Sequence, residues 1–132
     1  MKRILCAAAV VALICGTTAW AHHSYAAFDT ARLIEVEGIL DALEWVSPHT
    51  VFTVKSDEGR MIRGEWRAPI AMQRIDFTRD TLHAGDRIVL VGNPRRDFDE
   101  SGIVNLKGIR RLSDGSAWGV TQASVDPLGS KR

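Results

Sequence analysis

No cysteine lies beyond residue 15: Cys6 and Cys15 are the only two in the 132-residue chain, and both fall in an uncharged run near its start. The rest of the chain therefore has no thiol for a disulfide, a thiolate metal site or a sulfur nucleophile. An excess of one charge is also missing, since 17 Lys and Arg oppose 16 Asp and Glu. Nothing in that balance steers the chain to nucleic acid. The nearest approach to a basic patch is Arg95-Arg96 with Arg110-Arg111, and Asp97, Asp99 and Glu100 offset the first pair, which describes a solvated face. There is no glycine-rich phosphate loop, no repeat of fixed period and no low-complexity tract.

The one long apolar run, Ile4 to Ile14, follows Lys2 and Arg3, and polarity returns at Gly16, Thr17 and Thr18. It falls short of the ~20 residues that span a bilayer. Ala19-Trp20-Ala21 then supplies a small-x-small cleavage pattern, which completes the layout of a secretory signal. Residues 1–21 are thus expected to be removed, leaving a periplasmic or secreted product that starts at His22 and has no membrane attachment. A cut after Ala19 and a retained anchor are the alternatives. A lipidated cysteine is not expected, because Cys15 follows Leu13 and Ile14 where small residues would be needed. Removing 21 of 132 residues leaves 111, and the formal net charge falls from +1 to −1 as Lys2 and Arg3 leave. That length suits one domain with a single core.

From Leu33 to Trp45, Ile34, Val36, Leu40 and Ala42 alternate with Glu35, Glu37 and Asp41, the period of a half-buried strand. Gly38 within it marks a bend that lets one strand serve two faces of a closing barrel. Thr50–Lys55 and Met61–Arg67 read as a hairpin around Ser56-Asp57-Glu58-Gly59. Pro69 opens a short helix through Ile70, Met72 and Ile75. Arg87–Gly92 is a further strand ended by Asn93-Pro94, and Ile103–Leu112 is the last, followed by an Asp114-Gly115 turn. Three strands, a short helix and two strands make a mainly β chain, an OB-fold-like five-stranded barrel with one helix between strands 3 and 4. The expected layout is residues 22–116 as barrel with an N-terminal arm, then 117–132 as an edge segment around Trp118 and a flexible tail.

Cleavage after Ala21 would place a free α-amino group on a histidine, turning one residue into a chelator. That amine has a reference pKa of ~7.7–8.0, so a metal displaces its proton at modest cost near neutrality while the imidazole closes the ring. Divalent copper favours such planar nitrogen sets. A second imidazole must come from His23, His49 or His83, which with His22 are all the histidines present. His49 is preferred, because Trp45-Val46-Ser47-Pro48-His49-Thr50 is a proline-shaped turn between the first two strands. The plainer readings are that His49 bonds to backbone, that His22 and His23 belong to a polar terminus, and that His83 faces solvent. Tyr25 and Phe28 could pin the arm against the barrel. Trp45, Trp66 and Trp118 suit either a core or a stacking platform for a flat ligand. No acid–base pair or Ser/His/Asp set can be assembled from spacing alone, so a catalytic role has no residues to carry it.

His22-His23-Ser24, Phe28-Asp29, Trp45-x-x-Pro48-His49, Leu82-x-x-Gly85-Asp86 and Asp114-Gly115, in that order, resemble a family of small secreted bacterial proteins of unknown function. The resemblance spans nearly all of the chain after the signal. It implies an exported β-barrel with no established activity. Ser47 stands where that family's pattern has asparagine before the Pro-His pair. The leading expectation is a non-enzymatic binding protein whose ligand is copper, held by His22 and His49 with His23 as a further ligand. The alternative is an OB-like module that binds an oligosaccharide, peptide or partner protein through its barrel face and Trp45. An oxidative copper enzyme is a third reading, and it needs an open coordination position and a substrate groove.

Overall fold

The computed structural model describes residues 25–120 and the backbone of residues 126–127. Its elements are β1 (Ile34–Glu44), β2 (Val51–Ser56), β3 (Met61–Glu65), α1 (Pro69–Gln73), β4 (Arg87–Pro94), α2 (Phe98–Ser101), β5 (Ile103–Arg111), β6 (Ala117–Gly119) and β7 (Asp126–Pro127). Pairing runs β1–β2–β3–β5–β4 and returns to β1, so five strands close a barrel. All contacts in this ring are antiparallel except β3 with β5. With α1 between β3 and β4, this is the strand order of the OB-fold.

Closure depends on the bend in β1. Its first half pairs with β4 and its second with β2, and Gly38 and Ile39 are shared by both ladders. A Cβ on Gly38 would meet the Lys55 carbonyl and lie 2.7 Å from a Val54 methyl. Only glycine allows β2 to approach that closely. The register slips between Leu40 and Ala42, a bulge that turns the rest of the strand and raises the local twist.

Alternation along the strands points Ile34, Val36, Leu40, Val54, Leu90 and Leu106 into one core. Phe77, fully buried in the segment after α1, is the hub of an aromatic cluster. It makes edge contacts with Phe52 at 5.8 Å, Trp66 at 6.2 Å and Trp118 at 5.2 Å, and stacks on Trp45 at 6.2 Å. Pairs of this geometry add ~0.5–1.5 kcal/mol beyond their burial.

Two local expectations are corrected. Asn93-Pro94 does not end β4, which pairs with β5 through Pro94. The Arg95 N–H bonds to the Ile103 carbonyl on β5, so the neighbouring Pro94 nitrogen points the other way, beyond the last β1 pairing at Ile34 and Gly92. That side faces the N-terminal arm, where the Pro94 carbonyl accepts from the Asp29 N–H at 2.9 Å and the Asp29 carbonyl accepts from the Arg32 N–H at 3.2 Å, so the missing N–H of proline leaves no arm carbonyl unpaired there. The second correction is α2, a helix beyond the single one expected, in a stretch where Arg96, Asp97, Asp99 and Glu100 are exposed. Phe98 is its buried anchor, Gly102 caps it at φ 63°, and the Arg60 guanidinium lies 4.8 Å from the Phe98 ring. Arg60 also donates to the carbonyls of Phe98 and Asp99. Arg95 and Asp97 pair at 2.9 Å on the surface beside it.

The edge segment expected around Trp118 is β6, which pairs with β5. Further on, β7 pairs in parallel with Ile34 and Glu35. Most of the tail, and the whole leader with His22 and His23, lies outside the described residues. Among the described residues no helix is long and apolar enough to cross a membrane.

Candidate functional site

The turn between β1 and β2 is tied to the end of β3. The Thr50 N–H donates to the Arg67 carbonyl at 3.0 Å and the Trp66 N–H to the Thr50 carbonyl at 2.9 Å, extending the ladder past both strands. His49, exposed just ahead of that clasp, has its Nδ1 3.0 Å from the Trp66 carbonyl. A carbonyl can only accept, so Nδ1 carries the proton. Nε2 of the neutral ring is then left with its lone pair free.

His49 opens onto a groove of about 360 Å³. Pro48 and His49 form one wall, Trp66 to Ala68 the base, Asn105 to Lys107 of β5 another wall, and Tyr25 with Val120 the rim. Tyr25 is 63% exposed and Val120 50%, so both sides of the rim are apolar surfaces facing water. Val120 is held by its N–H bond to the Lys107 carbonyl at 2.9 Å. The residue before it, Gly119, has φ +75° and would place a Cβ 2.7 Å from the Trp66 ring. A side chain there would displace the rim.

The groove's charge has one sign. Arg67 and Lys107 line it and no carboxylate does. Among the described residues neither cation is in an ion pair, and Glu65, next to Trp66 in the chain, is engaged by Arg63 at 3.2 Å.

The candidates named from sequence are placed unequally. His49 lies in the groove, and Tyr25 brings the N-terminal arm to it. His83 is exposed on the loop before β4, where its own N–H donates to Asp86 at 2.9 Å. Trp45 is half-buried and packed on Phe77, outside the groove lining. Trp66 is 4% exposed, a core residue that also forms the groove base. Trp118 is partly buried and packed against the core, with the Arg111 guanidinium 5.7 Å over its ring. Among the described residues no three His, Cys, Asp or Glu side chains come together as a metal cluster.

Sequence reasoning missed Arg67, Asn105, Lys107 and Val120 as neighbours of His49. The only local signal was on β5, where Asn105 and Lys107 alternate with buried Val104, Leu106 and Gly108 and so share its outer face. A second cavity, of about 200 Å³, lies among Arg32, Arg96, Asp97, Phe98, Asp99 and Glu100. It contains none of the candidates.

The profile of a protein family described as a family of unknown function (DUF6152) matches residues 9–105. No curated protein matches the chain. Among solved structures, a chain of a crystal structure of TiaS in complex with tRNA and ATP is 19% identical with a TM-score of 0.47, over 64% of this chain and 19% of that one. A chain of the S. pombe Stn1–Ten1 complex is 18% identical with a TM-score of 0.45, over 61% of this chain and 58% of that one. The match thus spans about a fifth of the length of the TiaS chain. At these values the barrel assignment rests on the strand order given above.

Proposed function

The chain belongs to the family of unknown function DUF6152, and from that premise we propose an exported, non-enzymatic binding module whose ligand sits in the groove beside His49, with copper(II) as that ligand. The observation that carries this reading is that Tyr25 and His49 line the same groove. His22 lies three residues before Tyr25 in the sequence, and three residues of chain reach no further than ~11 Å. A mature terminus at His22 could therefore bring its amine and imidazole to the Nε2 that His49 presents. His23 would be within the same reach.

The donor chemistry fits copper better than a hard cation. An amine and imidazoles suit divalent copper, whereas calcium or magnesium would require oxygen ligands that the groove lining does not offer as carboxylates. A single imidazole from the barrel is too little to hold the metal, so the proposal stands or falls with the processed terminus. The test is a copper(II) titration of protein beginning with a free His22, beside His22→Ala, His49→Ala and a form carrying one extra N-terminal residue. The expected outcome is one tight equivalent in the processed protein and weaker binding in the other three. Equal affinity in all four overturns the site.

The second reading is an OB-like module that binds an oligosaccharide, peptide or partner protein through its barrel face and Trp45, whose ring is half-buried and stacked on Phe77.

A further inference from the structure

We propose that the groove beside His49 binds a small organic oxyanion, a carboxylate or a phosphate, gripped between Arg67 and Lys107. This rests on reading the groove as a ligand site and is independent of copper.

The charge pattern carries the inference. Five cations on this barrel are committed to acids: Arg63 pairs with Glu44 and Glu65, Arg87 with Glu37 and Asp57, Arg95 with Asp97, Arg110 with Glu35, and Arg111 with Asp114, while Arg32 and Arg96 share their cavity with Asp97, Asp99 and Glu100. Arg67 and Lys107 are in no ion pair among the described residues, and they line one concavity together. A planar guanidinium and an ammonium converging where no acid competes form a receptor for a carboxylate or phosphate group, each contact a charge-assisted hydrogen bond. Asn105 adds an amide donor in the same lining, and its side chain has no hydrogen-bond partner among the described residues.

Size and rim narrow the class. About 360 Å³ lies at the small end of the ~300–1,000 Å³ range of small-molecule sites. The apolar rim of Tyr25 and Val120 suits a ligand with a carbon skeleton attached to its anionic end. Two cations are few for a nucleic-acid backbone, whose affinity grows with each phosphate neutralised. The same two charges oppose a bare divalent metal at His49, and an anion seated beside it would offset that repulsion.

Calorimetric titration of metal-free, chelator-treated mature protein with inorganic phosphate, citrate and benzoate at matched ionic strength tests the proposal and separates the phosphate from the carboxylate source. Saturable binding of at least one probe is expected, weakened about tenfold or more in Arg67→Gln and in Lys107→Gln, as loss of a hydrogen bond to a charged group implies. Lys55→Gln, which removes a cation outside the groove lining, should leave it unchanged. Amide shifts in the wild-type protein during the same titration should cluster at His49, Asn105 and Val120, which keeps the test sound even if a variant folds poorly. No saturable binding, undiminished affinity in both glutamine variants, or shifts centred elsewhere would each overturn the proposal. Anion binding without copper binding removes only the copper reading, and copper binding without anion binding removes only this one.

Discussion

At the scale of single residues, the clasp beside His49 contains one unmet demand. Thr50 is fully buried and its hydroxyl has no hydrogen-bond partner among the described residues, although its N–H and carbonyl are both bonded. A buried hydroxyl without a partner costs roughly 1–3 kcal/mol relative to an apolar group of the same shape. Thr50→Val keeps the branched shape that suits a strand start and removes the demand. Thermal unfolding of this variant should show a midpoint equal to or above that of the parent. A clear drop would mean that the hydroxyl has a partner of its own. His49 was visible from sequence because Pro-His turns present side chains and histidines are few. Arg67 and Lys107 were not, because in sequence they look like any other surface cation. What distinguishes them is that they line one groove together with no carboxylate in its lining, and that is a property of three-dimensional neighbours.

Among elements, the β5–β6 hairpin supplies Trp118, packed against the core, and leads directly into the groove's Val120, so its stability bears on the site. Arg111 donates to both carboxylate oxygens of Asp114, at 3.1 Å and 2.7 Å, and to the Thr81 carbonyl at 2.8 Å. The Arg111 hydrogen bond, followed by that from the Ser116 N–H, holds the Asp114 carboxyl well below its usual 3.8. A carboxyl depressed in the folded state binds its proton more readily when unfolded, so its contribution is complete above the usual value. It drains away as the pH falls from about 4 through the folded value. The protection factors of the Ala117–Gly119 amides, with the intrinsic exchange rate at each pH divided out, should therefore fall on acidification below about pH 4. Asp114→Asn should flatten that dependence, and superimposable pH profiles would overturn the assignment. Strands of this kind were legible because alternation survives wherever one face is buried, as in Ile34-Glu35-Val36-Glu37. The extent of β4 was not, since whether a proline ends a strand depends on which side its nitrogen faces. Nor was α2, whose only apolar anchor is Phe98.

Across the whole molecule, the order of elements conveyed the barrel but not its closure, which rests on a parallel contact between Arg63–Glu65 and Ile103–Asn105. Strands so far apart in the chain share no local signal. That contact sets Asn105 beside the end of β3 and so builds the groove, while the arm from Tyr25 supplies its outer rim. The arm thus enters beside His49, whose tautomer the Trp66 carbonyl fixes. A ligand that requires both the arm's terminus and His49 binds only the folded, processed chain, and such binding raises stability by ~2.7 kcal/mol at a free concentration about one hundred times its dissociation constant. For a domain of about this length the gain corresponds to roughly 10 °C in the unfolding midpoint. Copper(II) at that excess should shift the midpoint of protein beginning at His22 by this order, and shift a form with one extra N-terminal residue far less. The measurement needs no assumption about which groups ligate the metal. If both forms gain equally, the metal is held elsewhere on the barrel and the terminus has no part in it.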